Sequence, residues 1–426
     1  MRIAGHTDAF NRFAMPYLPL VILGLLHGVV DCYATMIPPL WNPLETTHSL
    51  GGRMGFVIAA VQLPASFGQA LFGLLADRLT SRWLTIVGAT LAALGIGLAG
   101  LAPDRTTALI LLAISATGVG LFHPEAVTLA SRVVGQCHPK AIGIFLGCGF
   151  LGQAIGPVWI SYVVDPDRGR SLADTWRTMP IGLSVIAVGA VAMALIPRGV
   201  MTRHSENTQA VAGQSPQRRR TLWLLVLMSV TKSMGIMMML YFLPQLQLDQ
   251  VATGWWMGIY IAAQSVGILL GGWTASIRQQ RAILMLSLVV GLVPAAALVF
   301  TAGVAVVEPI LLAIYGLCVA WSIPATIQLG QAIAPGRERL VSGLMIGFSW
   351  GSAMVITAPL ADWVGAQWSS ASPAYAITTG FTLVSLFCAM ALPRQSALTK
   401  MIPASPAQPS PPTTRATREY TGAPPG

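Results

Sequence analysis

Five titratable side chains lie deep inside long apolar stretches of this sequence: His27, Asp31, His123, Glu125 and Lys232. Such a group costs at least roughly 2.5–3.5 kcal/mol at the centre of a membrane, so it is kept where it binds a ligand, forms a pair or carries a proton. His27 and Asp31 are four residues apart and therefore share one face of a helix. We predict proton-coupling roles for Asp31, His123 and Glu125, and substrate-binding roles for His27 and Lys232.

The composition around these residues is that of a membrane protein. Of the 426 residues, 54% are hydrophobic and only 9% are charged, whereas ordinary soluble domains carry about 25% charged residues. This excludes a soluble enzyme or a nucleic-acid-binding protein, despite the formal net charge of +10. The sequence contains neither a P-loop nor a His-Glu-x-x-His motif, so we predict no ATP hydrolysis, no catalytic residue, no metal and no cofactor.

Twelve apolar segments are long enough to cross a bilayer as helices. They are too long and too evenly apolar for the strands of a barrel. We therefore predict an all-α membrane protein with twelve transmembrane helices in two six-helix bundles. Numbered 1 to 12 in chain order, the segments cover about residues 16–40, 54–75, 84–102, 107–131, 140–164, 179–197, 222–246, 252–275, 282–303, 308–334, 340–364 and 374–392.

The polar stretches set the predicted domain limits. Residues 1–15 precede the first bundle (16–197), a linker (198–221) leads to the second bundle (222–392), and a tail rich in Pro, Ser and Thr (393–426) is expected to be disordered. Nineteen of the 25 lysines and arginines fall inside, and five outside, if the N-terminus is cytoplasmic. This distribution predicts that both termini and the linker are cytoplasmic. Segment 1 has no small-residue cleavage site, so we expect it to be retained.

The two halves repeat with a shift of 200 residues. The shift lays Pro124 on Pro324 and Gly143 on Gly343, as expected for a parallel repeat of the kind found in transporters whose halves rock about a midplane site. Asp31 falls beside Lys232 under this shift, which predicts an ion pair between segments 1 and 7. The pair is either a static bridge between the halves or a bridge that a proton or an anionic substrate breaks.

Segment 4 contains Phe-His-Pro-Glu at residues 122–125. Pro124 frees a backbone carbonyl and can kink the helix, while His123 and Glu125 can take up and release protons. The second half keeps Pro324 but has no titratable group beside it, so we expect proton handling in the first half. The alternative is a purely structural, hydrogen-bonded role.

Two further groups of residues are predicted to control conformation. The loop after segment 2 and the glycines of segment 5 supply gating candidates, although the glycines are also expected from close helix packing. Polar and aromatic side chains in the spans are candidate cargo contacts, with packing as the alternative. The gating set is Gly73, Asp77, Arg78, Arg82, Gly152, Gly156 and Pro157. The cargo candidates are Tyr241, Gln245, Trp321 and Gln328, and Gln62, Gln69, Gln153 and Gln264 are further polar groups that could contact cargo.

The loop between segments 2 and 3 contains Gly, Asp and Arg in a pattern that resembles the loop motif of the major facilitator superfamily, and the chain has twelve segments like members of that superfamily. Within it, residues 16–392 resemble the fosmidomycin resistance family of drug exporters. The matching stretches are His27–Asp31, Gly118–Glu125, Thr231-Lys232, Pro335–Arg337 and Val341–Leu344. The second-half copy of the loop lacks the acid, which is a departure from that family.

This resemblance implies a proton-coupled efflux antiporter for a small drug or anionic metabolite, working by alternating access. It also implies a bacterial inner-membrane location, with protons, a small solute and the lipid bilayer as partners, no nucleic acid, and a monomeric state. An uptake carrier that imports a small organic solute with protons is the main alternative. A membrane-embedded enzyme and a non-transporting sensor are the other classes to separate.

Overall fold

The computed structural model describes residues 18–49, 54–69, 71–72, 83–133, 139–195, 215–246, 248–274, 279–335 and 338–401. These residues are helical apart from turns, connecting loops and one isolated β-bridge between Asp165 and Arg170. The long apolar helices are labelled α1 to α12. In the first half they are Leu18–Ala34 (α1), Met54–Ser66 (α2), Trp83–Ala99 (α3), Arg105–Val133 (α4), Pro139–Val163 (α5) and Met179–Leu195 (α6).

The second half contributes the other six of these helices. Its helices are Pro216–Phe242 (α7), Gln250–Thr274 (α8), Gln280–Thr301 (α9), Val307–Trp321 (α10), Ser349–Gln367 (α11) and Ser372–Ala391 (α12). Shorter helices cover Pro38–Leu40, Trp41–His48, Ile323–Ile333, Glu338–Gly343 and Gln395–Met401.

Prolines account for the main differences from the predicted segments. Segment 1 was expected to run to residue 40, but α1 ends at Ala34 and the chain turns into the short helices around Pro38 and Pro39, because proline lacks the N–H that continues a helix. Segment 10 is divided at Ser322, where Pro324 opens the second piece. Segment 11 begins with a π-helical turn, Leu344–Phe348, before α11.

Ten stretches in the described part of the chain are long and apolar enough to cross a membrane. Two shorter apolar helices, Gly55–Ser66 and Trp83–Ala99, flank residues that lie outside the described ranges. Large apolar side chains such as Phe300, Trp273 and Val188 are exposed, whereas His27, Asp31 and Lys232 are buried. An apolar exterior around charged interior residues is the arrangement of a multi-pass membrane protein.

Close helix approaches connect the first half to the second. The α5 helix packs along α8, and α2 packs along α11. Gly143 of α5 lies so close to α8 that a Cβ there would be 2.9 Å from Gly272 Cα, and a Cβ on Gly347 would be 2.9 Å from Gln69 Oε1. Small residues permit such approaches in membranes. Because the 200-residue shift exchanges α5 with α11 and α2 with α8, the two contacts are equivalent by the repeat.

Candidate functional site

The centre of the candidate site is the carboxylate of Asp31 on α1. His27 Nε2 lies 3.2 Å from Asp31 Oδ2, and His123 Nε2, on α4, lies 3.2 Å from Asp31 Oδ1. Gln153 Nε2, on α5, donates a hydrogen bond of 2.8 Å to Asp31 Oδ2. The Asp31 side chain is only 3% exposed, so three neighbouring helices hold it away from solvent. We call these four side chains the Asp31 cluster.

Backbone carbonyls fix the orientation of both imidazole rings. His27 Nδ1 is 2.9 Å from the carbonyl oxygen of Phe145, and His123 Nδ1 is 2.7 Å from that of Val119. A carbonyl oxygen only accepts, so each Nδ1 carries a hydrogen. Each Nε2 therefore faces Asp31, and a proton between nitrogen and oxygen is needed to make either contact attractive. Each of the two contacts can therefore hold one proton between nitrogen and oxygen.

Local sequence explains why these side chains meet. His27 and Asp31 are one turn apart on α1, and the His27 ring stacks on Phe145, with centroids 4.2 Å apart. Gly149 of α5 leaves the space that the cluster occupies, because a Cβ there would lie 2.8 Å from Asp31 Oδ2. Sequence reasoning overlooked Gly149 and considered Gln153 only as a cargo contact. A glycine one turn before Gln153 in an apolar helix was the available signal.

Glu125 is buried on α4, two residues after His123. Residues two apart do not face each other on a helix. Of the two titratable groups in the Phe-His-Pro-Glu motif, His123 points its Nε2 at Asp31. Pro124 lies inside the continuous helix α4.

The expected ion pair between Asp31 and Lys232 is not present. The carboxylate is instead satisfied by two histidines and a glutamine from its own half. Lys232 Nζ donates to Ser322 Oγ at 3.0 Å, and no carboxylate of the described residues lies within ion-pair distance of it. Lys232 is 4% exposed. The 200-residue repeat places Asp31 and Lys232 at nearly equivalent positions of the two halves. Equivalent positions need not be in contact, and these two are not.

His27, Asp31 and His123 also place one ligand atom each within 4.8 Å of the others, an approach that a metal ion would need. Both nitrogen–oxygen contacts are at hydrogen-bond distance, and both Nδ1 atoms have carbonyl acceptors. Each Nε2 is therefore the ring atom that can share a proton with Asp31 or act as a metal ligand.

A small cavity, with a volume of about 10 Å³, lies between α5 on one side and α7, α8 and α11 on the other. Gln264 Oε1 is buried there without a hydrogen-bond partner among the described residues. Phe150 of α5 and Trp350 of α11 meet edge to face, with ring centroids 5.4 Å apart. The lining residues are Gln153, Ile236, Met237, Leu240, Tyr260, Ile261, Gln264 and Trp350.

The structure does not bring the four main cargo candidates to this cavity. Gln245 Nε2 donates to the carbonyl of Tyr241 at 3.1 Å. Trp321 Nε1 donates to Thr274 Oγ1 at 2.7 Å, and Gln328 Oε1 accepts from Gln280 Nε2 at 2.8 Å. These contacts lie within the second half and are typical of helix packing. Two of the further polar groups, Gln153 and Gln264, line the cavity.

The gating candidates divide into two groups. Gly73, Asp77, Arg78 and Arg82 lie outside the described residues. Gly152 and Gly156 lie against the backbone of α1, where added Cβ atoms would collide with the carbonyl oxygens of Gly28 and Cys32. Pro157 continues the same helix. These glycines let α1 and α5 approach closely enough for Gln153 to reach Asp31.

Comparison with known proteins agrees with this architecture. The chain is 24% identical over 349 residues to the uncharacterized MFS-type transporter YfnC of Bacillus subtilis (strain 168), covering 80% of this chain and 84% of that protein. It is 23% identical over 361 residues to the fosmidomycin resistance protein of Escherichia coli (strain K12), covering 82% and 87%.

Among solved structures, the proton:xylose symporter XylE bound to 6-bromo-6-deoxy-D-glucose superposes with a TM-score of 0.66 at 16% identity, over 88% of this chain and 96% of that one. This likeness concerns the fold. The family model described as Major Facilitator Superfamily matches residues 20–252, which is over half of the sequence. With that match, its apolar helices and its buried charged cluster, the chain belongs to the major facilitator superfamily and is a transporter that resembles the fosmidomycin resistance family.

Proposed function

We propose that this protein is a proton-coupled efflux antiporter that exports a small drug or anionic metabolite by alternating access. The observation that carries the proposal is the Asp31 cluster, in which a buried carboxylate is held between two histidine Nε2 atoms. Keeping three titratable groups inside an apolar helix bundle is costly. Reversible proton exchange gives that arrangement a purpose that packing alone does not.

The proposed architecture has twelve transmembrane helices in two six-helix halves. The ten long apolar stretches and the two shorter apolar helices support this number, and the equivalent α5–α8 and α2–α11 contacts support two halves. We place the halves at 16–197 and 222–392, with 1–15, the linker 198–221 and the tail 393–426 in the cytoplasm. The proposed location is the inner membrane of a bacterium, with the protein as a monomer.

In the proposed proton step, His123 exchanges protons with water and Asp31. Its side chain is 13% exposed, compared with 2% for His27, so it is the more accessible end of the cluster. When a proton leaves one nitrogen–oxygen contact, a nitrogen lone pair faces a carboxylate oxygen and that contact becomes repulsive. The packing of α1 on α4 thus depends on protonation. Glu125 is proposed as the further proton-carrying group on α4.

The membrane potential supplies enough free energy for this cycle. Moving one charge through 100 mV provides about 2.3 kcal/mol. At about 1.4 kcal/mol for each tenfold ratio, this sustains roughly a 50-fold concentration gradient of solute.

Lys232 supports an anionic group on the cargo. Its ammonium is buried, and one serine hydroxyl is the hydrogen-bond partner that the described residues provide. A buried cation without a carboxylate is costly, and an anion that binds beside it removes much of that cost.

Lys232 and His27 were both predicted to bind substrate. We retain Lys232 in that role and place His27 in the Asp31 cluster. The cargo roles of Tyr241, Gln245, Trp321 and Gln328, and the gating roles of the segment 5 glycines and the 73–82 loop, stay predictions.

Two relatives of known name favour different directions of transport. Efflux is supported by the likeness to a protein named for fosmidomycin resistance. The same fold in a proton:xylose symporter favours the uptake carrier as the second candidate.

Everted membrane vesicles energised by respiration test both function and direction. Respiration acidifies their lumen, so an antiporter accumulates its cargo there, and a proton-importing symporter does not. We expect accumulation of at least one compound from a panel of small anions that includes fosmidomycin, with loss of the signal after addition of an uncoupler. Accumulation only in right-side-out vesicles would support the uptake carrier, and no energised accumulation in either kind would contradict the proposal.

A further inference from the structure

Gln153 belongs both to the Asp31 cluster and to the cavity between the halves. Its Nε2 donates to Asp31 Oδ2 at 2.8 Å, and its side chain lines the cavity with residues of α7, α8 and α11. The other cavity-lining residues have no hydrogen bond or ion pair with Asp31. Gln153 is therefore the direct polar connection between the cavity and the buried carboxylate.

The backbone around Gln153 is held firmly against α1. Thr35 Oγ1 donates to the Gln153 carbonyl oxygen at 2.8 Å, and Gly152 and Gly156 allow the close approach of the two helices. The Gln153 side chain makes no hydrogen bond to the described residues other than the one to Asp31. Its amide oxygen Oε1 is thus an acceptor available to a molecule in the cavity.

A second glutamine faces the same cavity, and its amide oxygen has no hydrogen-bond donor within the described part of the chain. Gln264 of α8 is 1% exposed, and its Oε1 has no partner among the described side chains and backbone groups. A buried acceptor without a donor is destabilising. Two glutamine oxygens from opposite halves therefore favour a cargo that donates hydrogen bonds, through hydroxyl or N–H groups.

We propose that Gln153 is the positioning residue that couples cargo binding to proton release, and that the cargo donates a hydrogen bond to its Oε1. A donor at Oε1 polarises the amide and strengthens the Nε2–H bond to Asp31, because successive hydrogen bonds reinforce one another. A stronger donor stabilises the carboxylate without its proton. Cargo binding then releases a proton, and by reciprocity a proton on the cluster weakens cargo binding.

This sign of coupling is the one that antiport requires. The titratable groups around Asp31 in the described residues come from its own helix and from α4 and α5, whereas α3 and α6, which also pack on α1, provide none. They are His27, Cys32, Tyr33, His123, Glu125 and Cys148. The inference rests on the proposed function, since it takes the Asp31 cluster as the proton carrier.

The cavity must also change size. Sites for drug-sized ligands have volumes of about 300–1,000 Å³, whereas the cavity here has a volume of about 10 Å³, so it is closed to such a ligand in this conformation. Separation of α5 from α7 and α11 would enlarge it and would keep Gln153 with the first half and Gln264 with the second. A bound cargo that bridges the two glutamines therefore also senses whether the halves are closed.

Isothermal titration of the purified full-length protein in lipid nanodiscs tests the coupling, with fosmidomycin as the probe. Titration in buffers of different ionisation enthalpy counts the protons released on binding. We expect about one proton for the wild type and close to none for Gln153→Met, which keeps the shape but not the amide. The matched control, Gln264→Met, should bind about five- to tenfold more weakly and still release the wild-type number of protons.

The outcomes separate this inference from the function on which it rests. Binding to Gln153→Met with undiminished proton release would overturn the coupling role and leave the proposed function standing. No binding to the wild type would overturn both the cargo assignment and the coupling. Should Gln153→Met fail to fold, Gln153→Asn, which retains an amide on a shorter side chain, should bind and release fewer protons than the wild type; full release would count against the proposal.

Discussion

At the scale of single residues, the candidate site is defined by the side chains that surround the Asp31 carboxylate. Asp31 has two imidazoles and an amide within hydrogen-bond reach, and Lys232 has a serine. The second half thus carries a buried lysine, and the first half carries the Asp31 cluster. The two buried charged residues have different partners, although the repeat relates their positions.

Gly149 offers a test of how tightly the cluster is packed. In Gly149→Ala, the new methyl group would lie against His27 and 2.8 Å from Asp31 Oδ2, and overpacking of this kind costs about 1–3 kcal/mol. We expect a lower melting temperature and at least a tenfold loss of transport. Gly380→Ala on α12 is the matched control, because a Cβ there meets nothing within 4 Å. Equal effects of the two substitutions would contradict the account.

Lys232→Met separates cargo recognition from stability. The substitution removes a buried ammonium but preserves an unbranched side chain, so we expect thermal stability that is unchanged or raised. Transport of an anionic compound should fall at least tenfold in vesicles, because the cation that favours it is gone. Ser322→Ala removes only the hydroxyl that accepts from Lys232 and should have a smaller effect. Undiminished anion transport by Lys232→Met would exclude Lys232 from the binding site.

Sequence could identify the titratable residues but not all of their partners. The four-residue spacing of His27 and Asp31 directly predicted their contact. The contact of Asp31 with His123 joins residues far apart in sequence, and the packing angle of α1 on α4 determines it. The incorrect Asp31–Lys232 pair came from treating equivalent positions in two halves as neighbours. Hydropathy carries no information on distance across a central cavity.

At the scale of elements, proline and glycine positions decide where helices end and how closely they approach. Prolines 38 and 39 begin a new short helix after the end of α1, and Pro324 divides the tenth segment into two helices. Composition predicted the existence of the long helices well because long apolar runs have few alternatives in a membrane. It did not predict the π-turn before α11, which depends on packing.

The loop between α5 and α6 provides a pH-dependent test outside the spans. Burial would raise the pKa of Asp165, but hydrogen bonds and charges from Arg168 and Arg170 outweigh it and hold that pKa below its usual range. A lowered pKa in the folded state stabilises the protein above the unfolded value of about 3.9, and this contribution is lost as the pH falls through the folded value.

We therefore expect Asp165→Asn to lower the stability of the loop at pH 7 by roughly 0.5–1 kcal/mol, since both arginines are partly exposed to solvent. The difference in melting temperature between variant and wild type should shrink between pH 4 and pH 2. Thermal unfolding followed across this range is the measurement. A difference that stays constant with pH would mean that the arginine contacts do not stabilise the ionised carboxylate.

At the scale of the whole molecule, the two halves meet along equivalent pairs of helices. The α5 and α8 helices touch at Gly143 and Gly272, and Ser265 Oγ donates to the Gly147 carbonyl at 2.8 Å. The sequence repeat predicted the symmetry, but it did not specify which helices would form the seam. That choice follows from where small residues allow backbones to approach.

A cross-link at this seam tests alternating access. If the halves separate at Gly143 and Gly272 during the cycle, oxidation of a G143C/G272C double variant should stop transport, and reduction should restore it. Each single variant under the same oxidant is the control, because the described native cysteines 32, 148, 318 and 388 are free. Full transport by the oxidised double variant would show that this contact does not open.

The central claim is that the Asp31 cluster carries the proton that drives transport. Its most direct test is the proton flux into or out of proteoliposomes that follows addition of a transported compound, measured with a pH-sensitive dye for the wild type and for Asp31→Asn. We predict cargo-dependent proton movement opposite to the cargo in the wild type and none in the folded, membrane-inserted variant. Undiminished counterflow of protons through Asp31→Asn would contradict the account.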